Sequence, residues 1–211
     1  MNTDITIRPK LQHFGLVTGN LDAMTGWYQQ VLGMTVNYRF GNEGDAPGGP
    51  QGGPPFRAAF VSNDEVHHRI VFFEVPGFVP DAGPRAGMQH VAFEYRTFDD
   101  LLGTYVRLKS LGILPSFAAE EGFQTVFNYA DPDGNAVELN VNNYGNDWTA
   151  TEHMRNPPKG HAQRILIDPE KLVAARLAGV TPEQIHERIF AGEFAQARQH
   201  HGPRHTGTGR A

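Results

Sequence analysis

The chain has 211 residues, 39% of them hydrophobic and 19% charged, with a formal net charge of -5. That length and mixture fit one globular domain with a sizeable core, or one domain with an extension, and exclude a disordered chain. The acidic balance argues against nucleic acid as a partner, which demands clustered Lys and Arg. The absence of cysteine excludes disulfides and thiolate ligands, so any metal has to be held by His, Asp or Glu.

The opening MNTDITIRPK has no apolar run, and no stretch approaches the ~20 apolar residues needed to cross a bilayer, so a cytoplasmic protein without a membrane partner is expected. LQHFGLV, residues 11–17, alternates as a strand. A helix follows with Leu21, Met24, Tyr28 and Val31 on one face and Gly33 past its end. Strands are expected over 34–40, 56–62 and 66–75. Between the first two lies GNEGDAPGGPQGGPP, residues 41–55, whose Gly and Pro content predicts a loop.

A linker, residues 76–87, leads to MQHVAFEY, where the pattern starts again. The second helix presents Phe98, Leu101, Leu102, Tyr105 and Leu108, with Thr97 as its cap and Gly112 beyond its end. Strands are expected over 113–117, 123–130 and 136–141, and Asp131-Pro132-Asp133-Gly134-Asn135 makes the turn before the last. Each half therefore reads β-α-β-β-β, and such a repeat predicts a site where the halves meet. The domain reading is residues 1–75 and 76–142 as two modules of one α+β domain, followed by an extension, 143–211. Asp168-Pro169 and Thr181-Pro182 each pair a cap with proline at the first helical position, predicting helices over about 169–178 and 182–191. The apolar stripe Ile185, Ile189 and Phe190 is expected to pack on the domain or a partner subunit, as in a homo-oligomer, and residues 199–211 read as a disordered end.

His13 and His90 occupy the same place in the two repeats, each after apolar-Gln. Strand alternation sets His13 with Leu11 and Gly15, His90 with Ala92 and Glu94, and Glu138 with Ala136 and Asn140, in each case opposite the bulkier apolar face. Two imidazoles and one carboxylate can hold a divalent iron ion on one face and leave the opposite face open. Fe(II) is the expected cofactor, and Mn(II) accepts the same ligands.

The repeat with its two His-bearing strands, and the ending NYADPDGNAVELNV, resemble the vicinal oxygen chelate superfamily over about residues 10–142. The resemblance implies two β-α-β-β-β modules forming one open eight-stranded barrel around a metal. Residues 60–69, FVSNDEVHHR, resemble type I extradiol ring-cleaving dioxygenases, in which the second His of such a pair lies beside the metal-bound oxygen. Carried over, that residue is His68, as acid-base group, with His13, His90 and Glu138 as iron ligands. Alternation places His68 with Ile70 and Phe72 on one strand face. Extradiol members commonly carry a Tyr three residues before the acidic residue of the turn. Here that position is Asn128, with Tyr129 beside it, so Asn128 and Tyr129 take the expected substrate-binding place. Glyoxalase-type members need an acid on the first-half strand, where this chain reads HHRIV, with Glu74 further along.

The resulting expectation is an Fe(II)-dependent extradiol dioxygenase acting on a small catecholic aromatic and O2. The alternatives are a metal-dependent isomerase, lyase or transferase of the same fold, and a small-molecule binding protein with a vestigial site.

Overall fold

The computed structural model describes residues 8–41, 56–75, 77–78, 87–161 and 164–196. Apart from Gly41, the expected loop over 41–55 falls outside them, as do most of the 76–87 linker and the whole of 199–211.

The order of elements repeats. The first run is β1 (Phe14–Thr18), α1 (Leu21–Leu32), β2 (Thr35–Phe40), β3 (Arg57–Ser62) and β4 (Ile70–Glu74). The second is β5 (His90–Tyr95), α2 (Phe98–Ser110), β6 (Phe117–Glu120), β7 (Gln124–Ala130) and β8 (Ala136–Asn142). The sheets repeat as well: one has the order β1-β4-β3-β2, the other β5-β8-β7-β6 with a further strand at its end. β1 runs parallel to β4, so the helix between β1 and β2 serves the crossover that parallel pairing requires. The fold is thus α+β, with two sheets and five helices among the described residues.

The helices follow their sequence signals. Asn20 caps α1 by accepting from Ala23 N, and Gly33 closes it at φ 64, a left-handed conformation that costs glycine no Cβ clash. Thr97 caps α2, and Gly112 repeats the closing role at φ 77. Leu21, Met24, Tyr28 and Val31 are buried on one helix, and Phe98, Leu101, Leu102, Tyr105 and Leu108 on the other.

Three expectations are corrected. β4 begins at Ile70, not at 66, because Asp64 closes a turn first, accepting from Ser62 Oγ at 2.9 Å and Val66 N at 3.0 Å. His67 and His68 therefore lie in the loop ahead of the strand, where alternation does not govern them. β6 spans Phe117–Glu120 instead of 113–117: Pro115 has no N–H to offer a ladder, and bonding starts with Ser116 N to Asn128 O at 2.6 Å. The extension holds more than two helices. A helix α3 (Asp147–Arg155) and a ninth strand, β9 (Ile165–Leu166), precede α4 (Pro169–Leu177) and α5 (Pro182–Phe190). β9 pairs antiparallel with β6 and becomes the end strand of the second sheet.

The chain divides into two compact units, Met1–Val91 with Tyr129–Val137, and Ala92–Asn128 with Glu138–Ala211. In the second, Ile167, Leu172, Ile185, Ile189 and Phe194 are buried. Arg176–Asp99 at 2.7 Å and Lys109–Glu170 at 2.6 Å link α4 to α2. The apolar burial carries that attachment, since exposed ion pairs are each worth about 0–1 kcal/mol. Among the described residues no helix is long and apolar enough to cross a membrane.

Candidate active site

His13 sits one residue before β1 and His68 two before β4, and the parallel pairing of these strands brings the two imidazoles together. Their ring centroids are 4.3 Å apart. The loop that carries His68 is braced from several sides. Arg69 pairs with Asp64 at 2.7 Å and donates to Gln12 O at 3.1 Å, and Asn37 Nδ2 donates to His67 O at 3.0 Å. The guanidinium of Arg69 holds Asp64 down at about 2, so the brace stays charged across the working pH range.

Gln12 bridges the backbone at His68 and the imidazole of His13. Its Nε2 donates to His68 O at 3.3 Å, and its Oε1 accepts from His13 Nδ1. An amide oxygen only accepts, so the proton of His13 is on Nδ1 and the lone pair on Nε2 is left for a metal. The second repeat uses the same device, with His90 Nδ1 donating to Gln89 Oε1. The Gln-His dipeptide thus pairs an expected ligand with the residue that sets its tautomer, written twice.

His68 is half-buried. Burial first, and then the neighbouring His13 and His67, hold its pKa below the ordinary 6.5, so it is neutral near pH 7. In the metal-free protein the His68 ring proton signal, assigned by its loss in His68→Gln, is expected to titrate with a midpoint below 6.5. A midpoint above that value would contradict the environment described.

Glu138 is 5% exposed in the middle of β8. Its carboxylate accepts from Asn140 Nδ2 at 3.1 Å, and Gln124 Nε2 and Asn128 Nδ2 lie 3.5 Å from its two oxygens. Amide donors orient a carboxylate without neutralising it, which suits a ligand for a hard divalent ion. Asn128 is therefore placed beside Glu138. Tyr129 follows on the other face of β7 and is 1% exposed, in the core. Glu74 is committed elsewhere: it accepts from Leu21 N at 2.9 Å and pairs with Arg57 at 3.1 Å, closing the start of α1.

One feature escaped the sequence reading. Tyr38, Phe40 and Phe60 form an aromatic group on the first sheet, with Tyr38–Phe60 at 5.7 Å and Phe40–Phe60 at 6.3 Å. Phe60 meets His68 edge to face at 5.0 Å. The alternation of Tyr38 and Phe40 was visible, but their pairing with Phe60 depends on a register that includes a bulge between Val36 and Tyr38.

His13 and His90 belong to the first unit and Glu138 to the second. Within neither unit do the described residues bring three or more His, Cys, Asp or Glu side chains together as a metal site. The donor chemistry of the three residues nevertheless fits such an ion, through two imidazoles with defined tautomers and one oriented carboxylate.

Comparison with known proteins adds to this. The family model described as "Glyoxalase/Bleomycin resistance protein/Dioxygenase superfamily" matches residues 10–139. Biphenyl-2,3-diol 1,2-dioxygenase 3 of Rhodococcus globerulus is 34% identical over 196 residues, covering 89% of this chain and 92% of that protein. Biphenyl-2,3-diol 1,2-dioxygenase 2 of the same organism is 34% identical over 191 residues, covering 90% and 93%. Among solved structures, a glyoxylase/bleomycin resistance protein/dioxygenase domain from Frankia sp. EAN1pec matches with a TM-score of 0.52 at 22% identity, over 64% of this chain and 93% of that one. That last likeness speaks to the fold alone.

Proposed function

We propose that this chain, which belongs to the glyoxalase/bleomycin resistance protein/dioxygenase superfamily, is an extradiol dioxygenase that opens a catechol-type ring with incorporation of O2. His13, His90 and Glu138 would hold Fe(II), and the open eight-stranded barrel around the ion is part of the same proposal. The observation that carries the reading is His68: a neutral imidazole 4.3 Å from the ring of a proposed ligand and edge-on to an aromatic group. The relatives named for biphenyl-2,3-diol support a catecholic substrate.

Bound Fe(II) would supply a Lewis-acidic centre that lowers the pKa of a chelated phenol and admits dioxygen. The chain's own residues do the rest. His68 Nδ1 lies 2.5 Å from His67 Nδ1, which leaves Nε2 as the atom that takes a proton from a substrate hydroxyl and returns it later. A pKa below 6.5 keeps that nitrogen free to accept near neutral pH. Phe60 and its neighbours offer ring faces for a planar substrate, and Asn128 holds Glu138 in orientation. The commitment of Glu74 to Arg57 and Leu21 weighs against the isomerase alternative, which needs a first-half acid as ligand.

The test is oxygen uptake by protein reloaded anaerobically with Fe(II), against a panel of catechols that includes biphenyl-2,3-diol. A yellow ring-opened product supports the reading. Stoichiometric metal with no uptake points to another reaction of the fold, and failure to take up metal points to a binding protein. His68→Ala is expected to keep its iron and lose about 10²–10⁴-fold in kcat. Loss of the iron in that variant would make His68 a ligand instead.

A further inference from the structure

Two cavities of the second unit, about 320 and 230 Å³, share Phe123 and Met154 as walls. Tyr144, His153, His161 and Glu121 line the larger, and Gln124 lines the smaller. Gln124 connects them to the proposed ligand: its Nε2 donates to Glu121 Oε2 at 2.9 Å and lies 3.5 Å from Glu138 Oε1.

The larger cavity is built from flat surfaces. Tyr144 stacks on His153 at 4.0 Å and 11°, and His161 stacks on Phe190 at 3.6 Å and 8°. Its volume lies near the lower end of the ~300–1,000 Å³ range of small-molecule sites, room for a single ring and its substituent. The polar atoms are more specific. Nδ1 of His153 and Nδ1 of His161 are buried with no hydrogen-bond partner. A buried N–H without an acceptor is the rarer defect, so the proton of each ring belongs on Nε2, the nitrogen that is not sealed in. Burial keeps His161 neutral. The Glu121 carboxylate is paired with Arg164 and adds no net repulsion. The cavity thus combines apolar ring faces with two ring N–H donors.

We propose that these adjoining cavities receive the part of the substrate remote from the cleaved ring, and that His153 and His161 select an oxygen acceptor on it. The substrate class is then a catechol that carries a planar, oxygen-bearing substituent. This rests on the extradiol reading of Glu138, and the test separates the two.

Full-length chain stripped of metal by chelation is titrated calorimetrically with biphenyl-2,3-diol and with the same diol carrying a hydroxyl on its second ring. The hydroxylated probe is expected to bind about three- to tenfold more tightly, the worth of one neutral hydrogen bond. His153→Leu and His161→Leu should each pull that ratio toward one, and His153→Gln, which keeps an N–H donor, should restore part of it. A ratio of one in the unmodified chain, or a ratio that survives both leucine variants, overturns the proposal. Oxygen uptake is measured in parallel on iron-loaded protein. Ring cleavage without the ratio sinks the subsite alone, and the ratio without ring cleavage sinks the extradiol reading while the binding assignment stands.

Discussion

Replacing Glu138 with alanine is expected to yield a folded protein that no longer retains iron and no longer consumes oxygen with catechols. The carboxylate is 5% exposed and receives amide donors from Asn140, Gln124 and Asn128, so it is oriented before any metal arrives. Removing it takes away the only anionic member of a three-residue set. The loss of metal affinity should exceed the about 10–100-fold that follows from deleting an outer-shell partner. Asn140→Ala supplies that comparison, since it removes the 3.1 Å donor and leaves the carboxylate. Metal content by elemental analysis after anaerobic reloading and oxygen uptake on the same sample are the measurements. Stoichiometric iron and undiminished uptake in Glu138→Ala would remove it from the ligand set. Retained iron with lost uptake would make it a substrate-side group.

The largest expected effect on stability belongs to Asp131. Its Oδ1 accepts from Asp133 N at 3.0 Å and Asn135 N at 2.8 Å, and its Oδ2 accepts from Asn135 Nδ2 at 2.9 Å and from Tyr28 OH at 3.2 Å. The last bond joins the turn ahead of β8 to the buried face of α1. Tyr28 is 0% exposed, and burial together with Asp131 pushes its hydroxyl far above the ordinary value, so it stays a donor. Asp131→Ala breaks the turn and leaves that buried donor without an acceptor. Burial also raises the pKa of Asp131, a desolvation cost that alanine recovers. The net loss expected is about 2–4 kcal/mol, a large part of the stability of a domain. Urea unfolding at pH 7 measures it, and Tyr28→Phe should cost less because it removes both the donor and its need for a partner. A loss below about 1 kcal/mol for Asp131→Ala would show that the turn holds without its carboxylate.

Much of the scaffold could be read from short-range rules. The helix faces of α1 and α2, the Asn20 and Thr97 positions at their starts, the glycines past their ends and the Thr181 capping box of α5 all depend on residues within about two turns of one another. The repeat was legible for the same reason, since two copies of one module carry the same local signals. Strand starts were less so. His67 and His68 look like part of a strand until Asp64 is seen to close a turn against Ser62, Val66 and Arg69.

The sequence by itself singled out the candidate residues: His13 and His90 at equivalent places, His68 in its pair, and Glu138 after its turn. Only the tertiary structure decided what surrounds them. It paired β1 with β4 and so set His68 against His13, 55 positions apart. It tied Glu74 into the start of α1 and brought α3 residues to the cavities at Gln124. The physical reason is that capping and periodicity act within a few residues and leave their mark on composition. A hydrogen-bond partner or a cavity wall depends on long-range register, which a single chain does not write in any local pattern.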